Sequence, residues 1–124
     1  MKHFSALLET LYYTHSTLAK ERVLCEYFAT TPDPDRGVAL AIIAGTLSLP
    51  NFRRSMVMDL IRARTDPTLL AMCHDYVGEL SETVAHLWPG NQESLTPLPA
   101  LHELVAALRV CAKEDMPAYV ASLL

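Results

Sequence analysis

Apolar residues recur three and four positions apart along most of the chain, the spacing that lines one face of a helix. The first such group is Phe4, Leu7, Leu8, Leu11 and Tyr12. A second stripe, Leu18, Val23, Leu24, Tyr27 and Phe28, leaves Lys20, Glu21, Arg22 and Glu26 outside. Thr14 or Ser16 can cap its start, because either hydroxyl accepts a bond from an amide left free in the first turn. The stretch Thr30-Thr31-Pro32-Asp33-Pro34-Asp35 must end that helix, since proline has no amide donor and pushes its predecessor out of helical geometry. Asp33 is then expected to cap a third helix, with Pro34 in its first turn. Residues 38–44 of that helix are apolar all round and rich in small side chains, which predicts a central helix packed on several sides and stopped by Gly45.

Past Pro50, the residues Phe52, Met56, Val57, Leu60 and Ile61 predict the inner face of a fourth helix, with Arg53, Arg54, Arg62 and Arg64 on its outside. Asp66-Pro67 repeats the cap-then-proline start, and Leu69, Leu70, Met72 and Cys73 carry a fifth helix as far as Gly78. A sixth follows over residues 79–88, ended by Pro89-Gly90. The polar, proline-rich stretch 90–99 predicts the one long flexible loop. Leu101, Leu104, Val105 and Leu108 mark the next helix, and residues 116–124 start another at Pro117 that stops without a polar tail, so a truncated chain is expected. With no hairpin dipeptide and no alternating strand pattern, the reading is all-α, one helical domain over 1–124 built as a compact array of seven or eight helices.

Composition narrows the function. No apolar run approaches the roughly 20 residues that cross a bilayer, so no membrane partner is expected. The opening residues lack a cleavage site, which points to the cytoplasm. Cys25, Cys73 and Cys111 are odd in number and far apart, which suits reduced thiols. Ten Lys and Arg stand against fourteen Asp and Glu, a formal charge of −4, so any hold on nucleic acid must come from a local patch.

Asp75, Glu79, Glu82 and His86 have metal-ligand spacing, but Gly78 interrupts the set, and a solvated acidic face near a helix start explains it as well. Cys73 and His74 point about 100° apart on a helix and cannot form a catalytic pair. No glycine-rich phosphate loop, nucleophile elbow or Cys-x-x-Cys pair occurs, so no catalytic site is expected in this chain. The tyrosines and other aromatic residues fall on apolar faces, where core packing accounts for them. Arg53, Arg54, Arg62 and Arg64 are the best binding feature, because guanidiniums near whole-turn spacing can follow a phosphate backbone; helix solubility is the plain alternative. Gly45 and Gly78 stand at helix boundaries, where exposed amides can bind phosphate but where glycines also serve as plain caps.

Several segments, in order, resemble the opening of bacterial ATP-dependent DNA ligases. They are Phe4-x-x-Leu7-Leu8, Thr14 with Lys20, Tyr27-Phe28, and the run from Pro32-Asp33-Pro34-Asp35-Arg36-Gly37 through Val38-Ala39-Leu40. The strongest follow: Asp66-Pro67-x-Leu69, then Asp75-Tyr76-Val77-Gly78-Glu79-Leu80-Ser81-Glu82-Thr83-Val84-Ala85, then Leu87-Trp88-Pro89. Glu79 stands where that family has Asp. The resemblance implies the N-terminal, non-catalytic DNA-binding domain of such a ligase, an all-helical element that grips nicked duplex DNA by its backbone in repair or replication. It implies Lys20, Arg53, Arg54, Arg62 and Arg64 as phosphate contacts, with Gly45 and Gly78 as backbone contacts. None of Lys2, Lys20 or Lys113 stands in the Lys-x-Asp-Gly context that carries the adenylate. The resemblance therefore puts adenylation, with its ATP and divalent metal, in ligase domains beyond this chain, which itself needs no cofactor. The alternative is a protein-interaction domain that docks on a ligase or repair partner through an apolar surface over residues 101–124.

Overall fold

A computed structural model describes residues 1–90 and 97–124, so most of the loop expected at 90–99 lies outside the described residues. The described residues form eight helices and no strand: α1 (Lys2–Tyr13), α2 (Thr17–Thr30), α3 (Asp35–Ile43), α4 (Arg54–Arg62), α5 (Pro67–Val77), α6 (Leu80–Leu87), α7 (Leu101–Val110) and α8 (Met116–Leu123). They group into two compact units, one of Met1–Leu49 with Pro97–Val110 and one of Pro50–Thr96 with Cys111–Leu124. None of the helices is long and apolar enough to cross a membrane.

In the first unit α1 packs on α2 and α3 on α7. Phe4, Leu7, Tyr27, Ala39, Leu101 and Val105 form its buried core. Ser16 caps α2 by accepting the Ala19 amide at 3.4 Å. Gly45, at φ 72°, ends α3 in a Schellman turn: its own amide donates to Ile42 O at 3.1 Å and the Thr46 amide to Ala41 O at 3.0 Å.

Asp33 does not cap α3 as expected. The helix begins one residue later, with Pro34 at the cap position and no side-chain cap bond. Arg36, three residues on, pairs with the Asp33 carboxylate, Nη2 to Oδ2 at 2.7 Å, and the Gly37 amide acts on the same carboxylate more weakly. Asp35, the next carboxylate, links two helix starts. Asp35 lies in the first turn of α3 while its Oδ1 accepts both the backbone amide of His102 at 3.0 Å and the His102 ring Nδ1 at 2.5 Å, at the start of α7. Glu103 completes that start by accepting the Ala100 amide at 3.0 Å, half of a capping box.

In the second unit α5 packs on α6 and α4 on α8. Ile61, Met116 and Thr83 are its fully buried side chains. The Thr83 hydroxyl is satisfied by donating to Glu79 O at 2.8 Å. Asp66 and Pro67 start α5 as expected, with Asp66 Oδ1 accepting the Thr68 and Leu69 amides at 2.9 and 3.1 Å. Gly78, at φ 76°, ends it.

Burial differs from the expected pattern at several positions. Leu18 is 69 % exposed, Leu40 55 % and Leu8 45 %, so the stripes of α1 and α2 are narrower than their spacing suggests and α3 is not covered on all sides. Tyr12, Tyr13 and Tyr76 also face solvent, whereas Phe4 and Tyr27 do pack in the core. Cys25 is exposed and Cys73 and Cys111 are half-buried; all three are free thiols.

The bonds from His102 hold the Asp35 carboxyl below its ordinary value. The ionised form is therefore favoured by folding. Its contribution is fully present above the unfolded-state value of about 3.9 and is lost as pH falls through the lower folded value. Thermal melts of Asp35→Asn against the parent chain should show a gap that is wide above about pH 5 and narrows steadily below about pH 4.

Candidate functional site

The arginine-rich helix α4 is anchored near its C-terminal end by Ile61, which is fully buried and fixes which side of the helix faces inward. Between residues 53 and 64 four arginines stand against the single carboxylate of Asp59, in a chain whose overall charge is −4. All four arginines are exposed. Arg53 and Arg54 open the helix, Arg62 closes it, and Arg64 lies just past its end.

Their side chains are held differently. Arg53 is the N-cap residue, in extended conformation, and its Nε donates to Pro50 O at 3.0 Å. Arg54 has no hydrogen-bond or ion-pair partner among the described residues. Arg62 Nη1 pairs with Asp59 Oδ1 at 3.3 Å across an exposed turn, an interaction worth roughly 0.3–0.5 kcal/mol or less. Arg64 folds back: its Nη1 donates to Leu60 O at 3.0 Å and its guanidinium carbon sits 4.7 Å from the centroid of the Trp88 ring. The four therefore do not form one straight row. Arg54 and Arg62, eight residues apart, point about 80° from each other around the axis at 100° per residue. The positive surface has two ends, separated by a helix about 13 Å long.

Beside the N-terminal end lies a groove of about 380 Å³, bounded by the 50–53 segment, α4, the connection after α7 and the start of α8. Its polar lining comes from Asn51, Arg53, Ser55, Asp59 and Lys113, and its apolar lining includes Met56 and Leu60. Asn51 ties the segment down by donating from Nδ2 to Cys111 O at 3.2 Å. Lys113 was invisible as a site residue in the sequence, because nothing in its neighbourhood links it to α4; only tertiary packing of α8 on α4 brings it there.

The remaining sequence candidates fall as follows. Lys20 is exposed on α2, in the other unit. Gly45 and Gly78 are both in the left-handed region and both act as helix ends, with the Gly78 amide donating to His74 O at 2.8 Å. Their amides are spent on their own helices rather than left to an external phosphate. Asp75 and the pair Glu82 and His86 are divided between α5 and α6 by the Gly78 turn. Among the described residues no group of three or more His, Cys, Asp or Glu is placed to hold a metal ion. Of the apolar surface expected over 101–124, Leu101, Val105, Leu108, Met116 and Val120 are buried, while Val110 and Leu124 remain exposed.

Trp88 is the only tryptophan, so the chain's tryptophan emission comes from the ring that Arg64 covers. Arg64→Ala should change the intensity or wavelength of that emission in the native state, with a stability loss of about 0.5–1 kcal/mol in denaturant titration, the size of a partly exposed cation–π contact. An unchanged spectrum would mean the stacked geometry is not populated in solution.

Comparison with protein families, curated proteins and solved structures returns no match for this chain.

Proposed function

We propose that this chain is a non-catalytic DNA-binding region that holds duplex DNA by its phosphate backbone, with α4 and its flanking arginines as the grip. The observation that carries this reading is the start of α4. Arg53 and Arg54 occupy the helix N-terminus, no acidic residue lies in the first turn, and no side chain caps the free amides. Two cations at that end oppose the helix macrodipole, which favours negative charge there and positive charge at the other end. Local stability does not explain the arrangement, whereas a bound anion would: the guanidiniums and the free first-turn amides then act on the same charge. Arg62 and Arg64 add positive charge at the far end of the helix, and phosphate contacts of this kind position a duplex without reading its sequence.

The resemblance to bacterial ATP-dependent DNA ligases supports the same reading and adds its setting: a part of a larger ligase that holds nicked DNA in repair or replication while other domains, with ATP and a divalent metal, seal it. Lys20 is a separate proposed phosphate contact on the first unit. The competing reading, a protein-docking surface over 101–124, is weakened by the burial of Leu101, Val105, Leu108, Met116 and Val120 in that stretch.

Anisotropy of a labelled nicked duplex, titrated with the chain at several salt concentrations, tests the proposal. Backbone binding gives a log–log salt slope of about −0.9 per neutralised phosphate, with dissociation constants in the roughly 10⁻⁴ to 10⁻⁶ M range at physiological salt. Arg53→Ala with Arg54→Ala should weaken binding and lower the slope by about two. No binding even at low salt, or binding that is indifferent to salt, would rule the grip out.

A further inference from the structure

The groove beside α4 differs from the arginines around it, because it combines cations with an apolar wall in one concave space. Arg53 lines it from the helix start and Lys113 from the connection that precedes α8, so two segments distant in sequence bring two positive charges to it. Ser55 and Asn51 add a hydroxyl and an amide. The Arg53 guanidinium is steadied by its bond to Pro50 O at 3.0 Å, and Asn51 is steadied by its bond to Cys111 O at 3.2 Å. Asp59 also lines the groove, where its carboxylate is the one negative charge, paired at 3.3 Å with Arg62 across an exposed turn. Met56 and Leu60 supply carbon surface. A ligand that suits such a lining carries its negative charge at one end and a small body of mixed polarity at the other.

We propose that this groove takes one backbone phosphate of a DNA strand together with its deoxyribose, the phosphate between Arg53 and Lys113 and the sugar against Met56 and Leu60. The proposal rests on the DNA-binding reading and makes it specific: Lys113 becomes a phosphate contact, and α4 holds one sugar-phosphate unit in a pocket while its other arginines touch the strand at its surface. A volume of about 380 Å³ lies near the lower end of ligand-holding clefts, roughly 300–1,000 Å³, which suits a sugar phosphate. Two cations on one phosphate and a sugar against carbon surface also explain why the positive end of α4 stands beside a groove and not on a flat face. Asp59 works against the ligand, so its removal strengthens binding.

Two measurements decide the matter. In the first, ¹⁵N–¹H correlation spectra of the whole chain are titrated with deoxyribose 5-phosphate, and separately with inorganic phosphate, at matched ionic strength. The amides of Arg54, Ser55 and Lys113 should shift saturably with the sugar phosphate and more weakly with inorganic phosphate, and Lys113→Ala should abolish the saturation. Linear shifts, or shifts unchanged in Lys113→Ala, overturn the site; equal responses to the two titrants overturn the sugar's part in it. In the second, duplex binding is compared among the parent chain, Lys113→Ala and Asp59→Asn, all changes at exposed positions. Lys113→Ala should bind several-fold more weakly, with a salt slope smaller by about one, and Asp59→Asn several-fold more tightly. A parent chain that binds no duplex defeats the DNA-binding reading, while the sugar-phosphate titration still decides the groove; a parent that binds, with Lys113→Ala equal to it, defeats the groove and leaves the reading standing.

Discussion

Helices of 8 to 14 residues are too short to be stable alone, and each leaves amides at one end and carbonyls at the other without partners. Satisfying those ends is the constraint on which both units depend. The first unit meets it most economically at Asp35, whose carboxylate lies in the first turn of α3 and accepts two bonds at the start of α7. One anion thereby serves two positive helix ends and fixes α3 against α7, the packing that covers Ala39, Leu101 and Val105. The second unit uses local devices, Asp66 ahead of α5 and Gly78 behind it.

Like α1, α4 departs from that pattern. Its N-terminus has neither a capping side chain nor an acid, and carries two arginines instead. Ser16 at α2 and Asp66 at α5 show how such a start can be satisfied from within. The proposed function takes the unsatisfied positive end as the place where a phosphate acts as the missing cap.

How much of this was legible in the sequence depended on the range of each interaction. Ser16, Gly45, Asp66-Pro67 and Gly78 were readable because a cap acts within four residues of itself. Asp33 is not the N-cap, because α3 starts one residue later than expected and Arg36, equally local and charged, is the main partner of its carboxylate. Periodicity identified the inward faces of α1, α2 and α4, except that Phe52 precedes α4 and is exposed, yet it could not tell whether neighbours would cover every apolar position. Leu18, Leu40 and Tyr76 therefore stand in solvent. The four arginines were countable from the sequence, but their division into a helix-start pair, an ion-paired Arg62 and an Arg64 stacked on Trp88 was not, because each depends on a partner's position in space. Lys113 and Asp35 with His102 were beyond reach for the same reason: their partners are dozens of residues away.

The proposed function puts DNA on α4 and its flanks. Amide hydrogen exchange of the chain, with and without a nicked duplex at low salt, tests it most directly, because it maps the contact without altering any residue. Protection concentrated over residues 50–64 and around Lys113 is the predicted result. Binding that leaves those amides unchanged, with protection elsewhere in the chain, would contradict it.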